Sequence, residues 1–183
     1  MHPADSSFAP SCRKTKLGLF HVFCILKLLS AVRTGVFLRI GEDQMFRLKT
    51  SAAFDSAHFL AGYCGKCANL HGHRWTVEVE AGAEQLQISG EKRGMVIDFG
   101  DLKSAVRALA DAYDHAMIYE SGSLKPATLA ALQDENFRLI EVPYRPTAEN
   151  FAKAFFEQLA AEKIPVLRVT VYETPDNCAS YEV

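Results

Sequence analysis

The sequence predicts an α+β fold in which a four-stranded antiparallel sheet carries two helices on one face, in the order ββααββ. Alternating apolar and polar residues over 74–83 and 166–172 are typical of half-buried antiparallel strands. Apolar residues at helical spacing over 98–113 and 147–159 define amphipathic helices between those strands. Strands grouped at both ends of a run of helices favour α+β over the regular alternation that builds a parallel sheet.

The individual strands follow from local patterns. Residues 46–54 alternate loosely and predict a first strand that ends near His58. The second strand runs over 74–83, after a loop at 62–69. Residues 95–98 are predicted to finish a further strand that passes directly into the first helix.

The helices are placed by their caps. Asp98 can accept hydrogen bonds as the N-cap of the first helix, and Thr147 begins the second, directly after a proline. Residues 118–143 mix glycine, proline and short apolar runs, so they predict a loop with a short helix over 128–134. The last strand is predicted over 179–183, after a turn.

Composition limits the class of partner. The chain has 183 residues and a net charge of −2, which fits one domain and gives no sign of a nucleic-acid-binding or membrane-binding surface. Five cysteines are an odd number in a chain too large to need disulfides, which favours reduced thiols in the cytoplasm.

Residues 1–44 do not continue the pattern of the rest, and we expect them to lie outside the fold. Lys27, Arg33 and Arg39 interrupt the apolar stretch over 17–40, which argues against a membrane-spanning helix. Three interpretations stay open: upstream sequence preceding a true start at Met45, a helical appendage, or a targeting signal. The domain proper is predicted over 45–183.

Three histidines form the sharpest chemical feature. His71 and His73 flank a glycine, and side chains two residues apart in a strand lie on the same face. His58, from the preceding antiparallel strand, can supply a third imidazole. Three imidazoles with one open position are typical of a catalytic zinc site. Cys67, four residues before His71, is either a base or nucleophile near the metal or a fourth ligand that closes the site.

Two further groups have candidate roles. Asp114 and His115 follow the first helix, and the pair is either an acid/base group or an ordinary helix end. Glu173 falls at the end of the 166–172 strand, on its buried face. A carboxylate there lies at the exposed strand end or pairs with a donor, and it suits a guanidine-like edge such as that of a pterin.

With these residues in hand, the chain from residue 45 onward resembles the 6-pyruvoyl-tetrahydropterin synthase / 6-carboxy-tetrahydropterin synthase family. The match covers the whole predicted domain in the correct order. The matching segments are 54–58 (Phe-Asp-Ser-Ala-His), 67–73 (Cys-Ala-Asn-Leu-His-Gly-His), 96–99 (Val-Ile-Asp-Phe) with 102–103 (Leu-Lys), 114–115 (Asp-His), 146–149 (Pro-Thr-Ala-Glu) and 171–174 (Val-Tyr-Glu-Thr).

The resemblance implies the tunnelling fold and a role for each candidate residue. His58, His71 and His73 would bind zinc, and Cys67 would be the general base, with Asp114 and His115 as its relay partner. Glu173 would anchor the pterin ring. The implied activity is that of a zinc-dependent carbon–carbon lyase acting on 7,8-dihydroneopterin triphosphate.

The number of residues between Cys67 and His71 predicts which product the enzyme forms. Three residues separate Cys67 from His71, as in the bacterial enzymes of queuosine biosynthesis. Those enzymes form 6-carboxy-5,6,7,8-tetrahydropterin and release triphosphate and acetaldehyde. Two alternatives stay open: a synthase that stops at the 6-pyruvoyl product, and a non-catalytic module that binds zinc or pterin.

The resemblance also implies an assembly. An open sheet leaves edges that must be covered, and members of this family join several subunits into a barrel with active sites at the interfaces. We therefore expect a homo-oligomer, a hexamer built as a dimer of trimers. The other expected partner is the small pterin triphosphate, with neither nucleic acid nor membrane involved.

Overall fold

A computed structural model of the protein describes residues 44–183. The predictions for the N-terminal extension therefore fall outside the described residues. Between residues 44 and 183, no helix is long and apolar enough to cross a membrane.

Residues 44–183 form one mixed six-stranded sheet. Its strands are β1 (Phe46–His58), β2 (His71–Ala83), β3 (Ala116–Glu120), β4 (Leu139–Val142), β5 (Val166–Thr174) and β6 (Asn177–Glu182), in the spatial order β4-β3-β1-β2-β5-β6. The β1–β2, β2–β5 and β5–β6 pairs are antiparallel, whereas β1–β3 and β3–β4 are parallel. A parallel pair needs a crossover between its strands, and helices provide it here.

The same residues contain three α-helices: α1 (Phe99–Tyr113), α2 (Pro126–Asp134) and α3 (Ala148–Ala161). Both predicted caps are present. The Asp98 carboxylate accepts the Gly100 N–H at 2.7 Å, and the Thr147 hydroxyl accepts the Asn150 N–H at 3.4 Å. The short helix expected over 128–134 is α2, which begins two residues earlier.

The predicted fold class is correct, but the four-stranded antiparallel sheet and the ββααββ order are wrong in detail. The four expected strands are β1, β2, β5 and β6, while β4 lies within the stretch predicted to be mainly loop, 118–143, and β3 overlaps its start. These two strands have five and four residues, too few to show a clear alternation. Residues 95–98 form no strand and run into α1 as bends and coil.

An aromatic core holds α1 and α3 on one face of the sheet. Phe54 of β1 stacks on Trp75 of β2, with ring centroids 6.1 Å apart. The Phe54 ring also packs against Tyr113 of α1 and Phe155 of α3, with ring centroids 6.0 Å and 6.1 Å apart. Burial of each such ring is worth about 2–3 kcal/mol. The aromatic core therefore covers one face of the sheet, and the three histidines lie further along the same face of β1 and β2.

Candidate metal centre

The register of β1 against β2 brings the three imidazoles together. His58 lies directly opposite His71, and Ser56 lies opposite His73. All three histidines share the sheet face of Phe54 and Trp75 because residues two apart in a strand point the same way. The ring centroid of His58 lies 4.5 Å from that of His71 and 5.3 Å from that of His73. The predicted grouping of these side chains is therefore present in the structure.

Backbone carbonyls orient two of the rings. The Nδ1 of His58 lies 2.7 Å from the Pro146 carbonyl oxygen, and the Nδ1 of His71 lies 2.8 Å from that of Asn69. A carbonyl only accepts, so Nδ1 carries the proton in both rings and the Nε2 lone pair is free. Carbonyl-bound histidines of this kind are typical of metal ligands, whose ring orientation is set by the second nitrogen.

A carboxylate completes the group. One oxygen of Glu173 lies 3.1 Å from Nε2 of His73 and 3.4 Å from Nε2 of His58. One ligand atom from each of the four side chains falls within 4.8 Å of the others. The Nε2 atoms of His58 and His73 are buried and have no hydrogen-bond partner among residues 44–183. Converging lone pairs without donors fit a divalent metal ion better than a hydrogen-bond network.

Burial also tunes these ligands. It lowers the pKa of His58 and of His73, and the neighbouring Glu173 carboxylate opposes the shift in both. The two imidazoles are therefore neutral at neutral pH, which is the form that binds a metal ion.

The position of Glu173 beside the histidines was not predicted from the sequence. Its face was predicted, because it continues the alternation of Val169 and Val171, which are fully buried. The strand that lies beside β5 could not be read from the pattern of residues. In the structure β5 pairs with β2, and Thr76 lies opposite Tyr172. That pairing brings the end of β5 alongside His73.

The Asp114–His115 pair forms a second polar group. The Nδ1 of His115 lies 2.6 Å from one carboxylate oxygen of Asp114, and the other oxygen accepts the Asp55 N–H at 2.8 Å. The Asp55 N–H is the main cause that lowers the pKa of Asp114, followed by the hydrogen bond with His115. His115 itself has a left-handed backbone, with φ of 51°, and an exposed ring.

A cleft of about 670 Å³ is lined by one residue of each group, His73 and His115. Its polar lining also includes Arg138 and Arg74, and Arg74 pairs with Asp55 at 2.7 Å. A second cleft of about 600 Å³ lies next to it and contains Glu173. Gly72, His73 and Arg74 line both clefts, so the two clefts adjoin along β2.

Cys67 stands apart from these contacts. It lies in a single turn of 3-10 helix, Lys66–Ala68, and its backbone carbonyl accepts the Leu60 N–H at 2.8 Å. Its thiol does not belong to the four-residue group of His58, His71, His73 and Glu173. Among the described residues, the fourth side chain close to the imidazoles is therefore the Glu173 carboxylate and not this thiol.

Together, the mixed sheet with its helical layer and the histidine–carboxylate group define an α+β protein with the ligand set of a metalloenzyme. The family model described as 6-pyruvoyl tetrahydropterin synthase matches residues 47–183. The 6-carboxy-5,6,7,8-tetrahydropterin synthase of Haemophilus influenzae is 40% identical over 141 residues, which cover 75% of this chain and 99% of that protein. The chain belongs to the 6-pyruvoyl tetrahydropterin synthase family.

Solved structures agree on the fold. A protein of Wolinella succinogenes matches 76% of this chain and 98% of its own with a TM-score of 0.65 at 21% identity. The 6-pyruvoyl tetrahydropterin synthase of Plasmodium vivax matches 77% of this chain and 99% of its own with a TM-score of 0.55 at 22% identity. At these identities the two structures support the α+β architecture alone.

Proposed function

We propose that the protein is a zinc-dependent carbon–carbon lyase that converts 7,8-dihydroneopterin triphosphate to 6-carboxy-5,6,7,8-tetrahydropterin, with release of triphosphate and acetaldehyde. The observation that carries this proposal is the convergence of three imidazole nitrogens and a carboxylate oxygen within 4.8 Å, together with a cleft that is lined by His73 and by His115 of the Asp–His pair. The family and the name of the Haemophilus influenzae relative support the substrate class.

His58, His71 and His73 are the proposed zinc ligands. A site dominated by imidazole suits zinc among the divalent metals. When bound, zinc would supply Lewis-acid chemistry to the hydroxyl groups of the substrate side chain. The protein's own part is to hold two of the rings, His58 and His71, in the Nδ1–H tautomer, which the Pro146 and Asn69 carbonyls favour.

Proton transfer is assigned to Cys67 and to the Asp114–His115 pair. The Cys67 thiolate removes a proton from the substrate side chain, and His115 exchanges one in the other direction. One carboxylate oxygen of Asp114 lies 2.6 Å from Nδ1 of His115 and accepts the proton of that nitrogen in a hydrogen bond. Nε2 is therefore the ring nitrogen that exchanges a proton with the substrate. The pKa of Asp114 is lowered, so this carboxylate stays charged and stabilises a protonated ring.

Glu173 is the proposed anchor of the pterin ring. A carboxylate can accept two parallel hydrogen bonds from a guanidine-like edge. Because Glu173 lies 3.1 Å from His73, a ring held by this carboxylate has its side chain next to the zinc ligands. Positioning of this kind would hold the reacting carbons close to the residues that would bind zinc.

The choice of the 6-carboxy product has two supports. One is the spacing of three residues between Cys67 and His71. The other is the 40% identity to a relative that carries that name. We accordingly place the reaction in queuosine and 7-deazaguanine biosynthesis, in the cytoplasm, where the thiol of Cys67 stays reduced.

We further propose that residues 45–183 are the catalytic domain and that it assembles as a homohexamer built from two trimers. The outer strands β4 and β6 each pair on one side only among the described residues. Unpaired strand edges favour association with further copies. The N-terminal extension is not part of the proposed site.

The direct test is incubation of purified, zinc-loaded protein with 7,8-dihydroneopterin triphosphate, with the products separated and identified. We expect 6-carboxy-tetrahydropterin, triphosphate and acetaldehyde in equal amounts. A 6-pyruvoyl product would contradict the proposed reaction in favour of simple elimination. Stoichiometric zinc and pterin binding without turnover would instead show a binding module.

A further inference from the structure

Arg138 makes an unusual set of contacts at the end of α1. Its guanidinium donates to the carbonyl oxygens of Ala112 at 2.8 Å, Asp111 at 3.4 Å and Asp114 at 2.8 Å. Its own backbone carbonyl accepts the Met117 N–H of β3 at 2.9 Å. One residue therefore joins the sheet to the last turn of α1.

These contacts replace an ordinary helix ending. The capping residues of α2 and α3 return their N–H groups to carbonyls of the final helical turn. α1 ends differently: Asp114 is extended, and the next N–H, from His115, goes across to the Asp55 carbonyl at 2.6 Å. The last carbonyls of α1 thus depend on a side chain, and a cation is favoured there by the helix dipole.

The next residues after this ending are the proposed acid/base pair. Arg138 holds the main chain of Asp114 on one side, while the Asp55 backbone holds its carboxylate on the other. His115, the residue after Asp114, has a left-handed backbone conformation. It lines the same cleft as Arg138 and His73. The orientation of the His115 ring relative to that cleft therefore depends on both supports.

We propose that Arg138 is a positioning residue for the reaction: by holding the carbonyl groups at the end of α1, it fixes the Asp114–His115 pair against the cleft. This inference rests on the proposed function, because it assigns Arg138 to the acid/base step. A misplacement of a reacting group by about 1 Å can slow a reaction about a hundredfold.

The test compares three variants of the full-length, zinc-loaded protein. Arg138→Gln removes the planar fork, and Arg138→Lys keeps the charge but not the fork. Arg107→Gln is the matched control, because Arg107 is an exposed arginine on α1, the helix whose end Arg138 contacts, and it makes no hydrogen bond or ion pair among residues 44–183. Steady-state kcat and KM and the ring nitrogen signals of His115 in long-range 1H–15N NMR spectra are measured for each.

We expect Arg138→Gln to lower kcat between about tenfold and a hundredfold with KM changed less than about twofold. The Nδ1–H signal of His115 should weaken or shift, and zinc content should stay at the wild-type level. Arg138→Lys should recover part of kcat, and Arg107→Gln should match the wild type in every measurement.

Two results would overturn the inference. One is wild-type kcat and unchanged His115 signals in Arg138→Gln. The other is a loss of kcat that is accompanied by lost zinc or lower thermal stability while the His115 signals stay unchanged, which indicates a purely structural role. If the wild-type protein has no turnover, the proposed function fails, whereas the His115 signals still decide whether Arg138 positions the ring.

Discussion

Of the three proposed zinc ligands, His58 should contribute most to the stability of the metal-free protein. It is 1% exposed, and its Nδ1–H donates to the Pro146 carbonyl at the start of α3. Substitution His58→Ala removes packing against Trp75, whose ring centroid is 5.0 Å away, at a cost of about 2–3 kcal/mol. It also leaves the Pro146 carbonyl without a donor, at about 1–3 kcal/mol.

A gain offsets part of this loss. Nε2 of His58 is buried without a hydrogen-bond partner among residues 44–183, and its deletion returns about 1–3 kcal/mol. The net expectation is a destabilisation of about 2–3 kcal/mol. His73→Ala is the matched comparison, since that side chain is 20% exposed and only its Nε2 is buried and unpaired. We expect about 1 kcal/mol or less for it.

The assay is urea unfolding of both variants and the wild type in the presence of a chelator, at one protein concentration because subunit assembly affects apparent stability. The measurement is then repeated with free zinc at about a hundred times its dissociation constant for the wild type, where binding should add about 2.7 kcal/mol to the wild type. Both variants should lose most of that gain, because each lacks one ligand.

Equal destabilisation of the two metal-free variants would refute this reasoning, since burial and the Pro146 hydrogen bond would then not distinguish His58. Full protection of His73→Ala by zinc would remove that residue from the site. Either result can be read from the unfolding midpoints without any measurement of turnover.

The remaining predictions concern other groups of the site and the extension. Cys67→Ala should abolish turnover while zinc stays bound, and loss of zinc from this variant, measured by metal analysis, would contradict its assignment as a base. Asp114→Asn should lower kcat about 10²–10⁴-fold because His115 loses the carboxylate that orients its ring; an unchanged pH–rate profile would exclude that role. Burial lowers the pKa of His58 and His73 in the folded, metal-free protein. The unfolded chain therefore takes up protons first as the pH falls below about 6.5, and metal-free stability should decrease from there down to the lowered folded-state pKa values. Unfolding curves between pH 5 and pH 7.5 test this sign, and a stability that rises toward pH 5 would contradict it. Truncation to start at Met45 should leave kcat and zinc content unchanged, and a loss of either would assign the extension a part in the activity.

Local chemistry explains which parts of the fold were predictable. Asp98 and Thr147 cap their helices as predicted, because a side-chain oxygen one residue before a helix binds its free N–H groups in almost any context. The histidine group was predictable for a similar reason: the two-residue period of a strand and one antiparallel neighbour are enough to place three rings on one face.

Other features depended on which elements become neighbours. Strands β3 and β4 are short and pair in parallel, so their stability comes from β1 and from the crossover helices rather than from their own pattern. Residues 95–98 have the composition of a strand but no partner in the sheet, and they form none. The strand propensity of a short segment does not determine whether it joins the sheet, because pairing depends on residues that are distant in the sequence.

The sequence by itself determined the fold class, the chemical identity of the site and the face of the sheet on which it lies, because these follow from residue type and from the periods of strands and helices. Only the tertiary structure decided that Glu173 lies beside the imidazoles, that Cys67 lies apart from them, and that Arg138 holds the end of α1. The positions of Glu173 and Arg138 depend on contacts between residues 24 to 115 positions apart, and such contacts leave no periodic trace in the sequence.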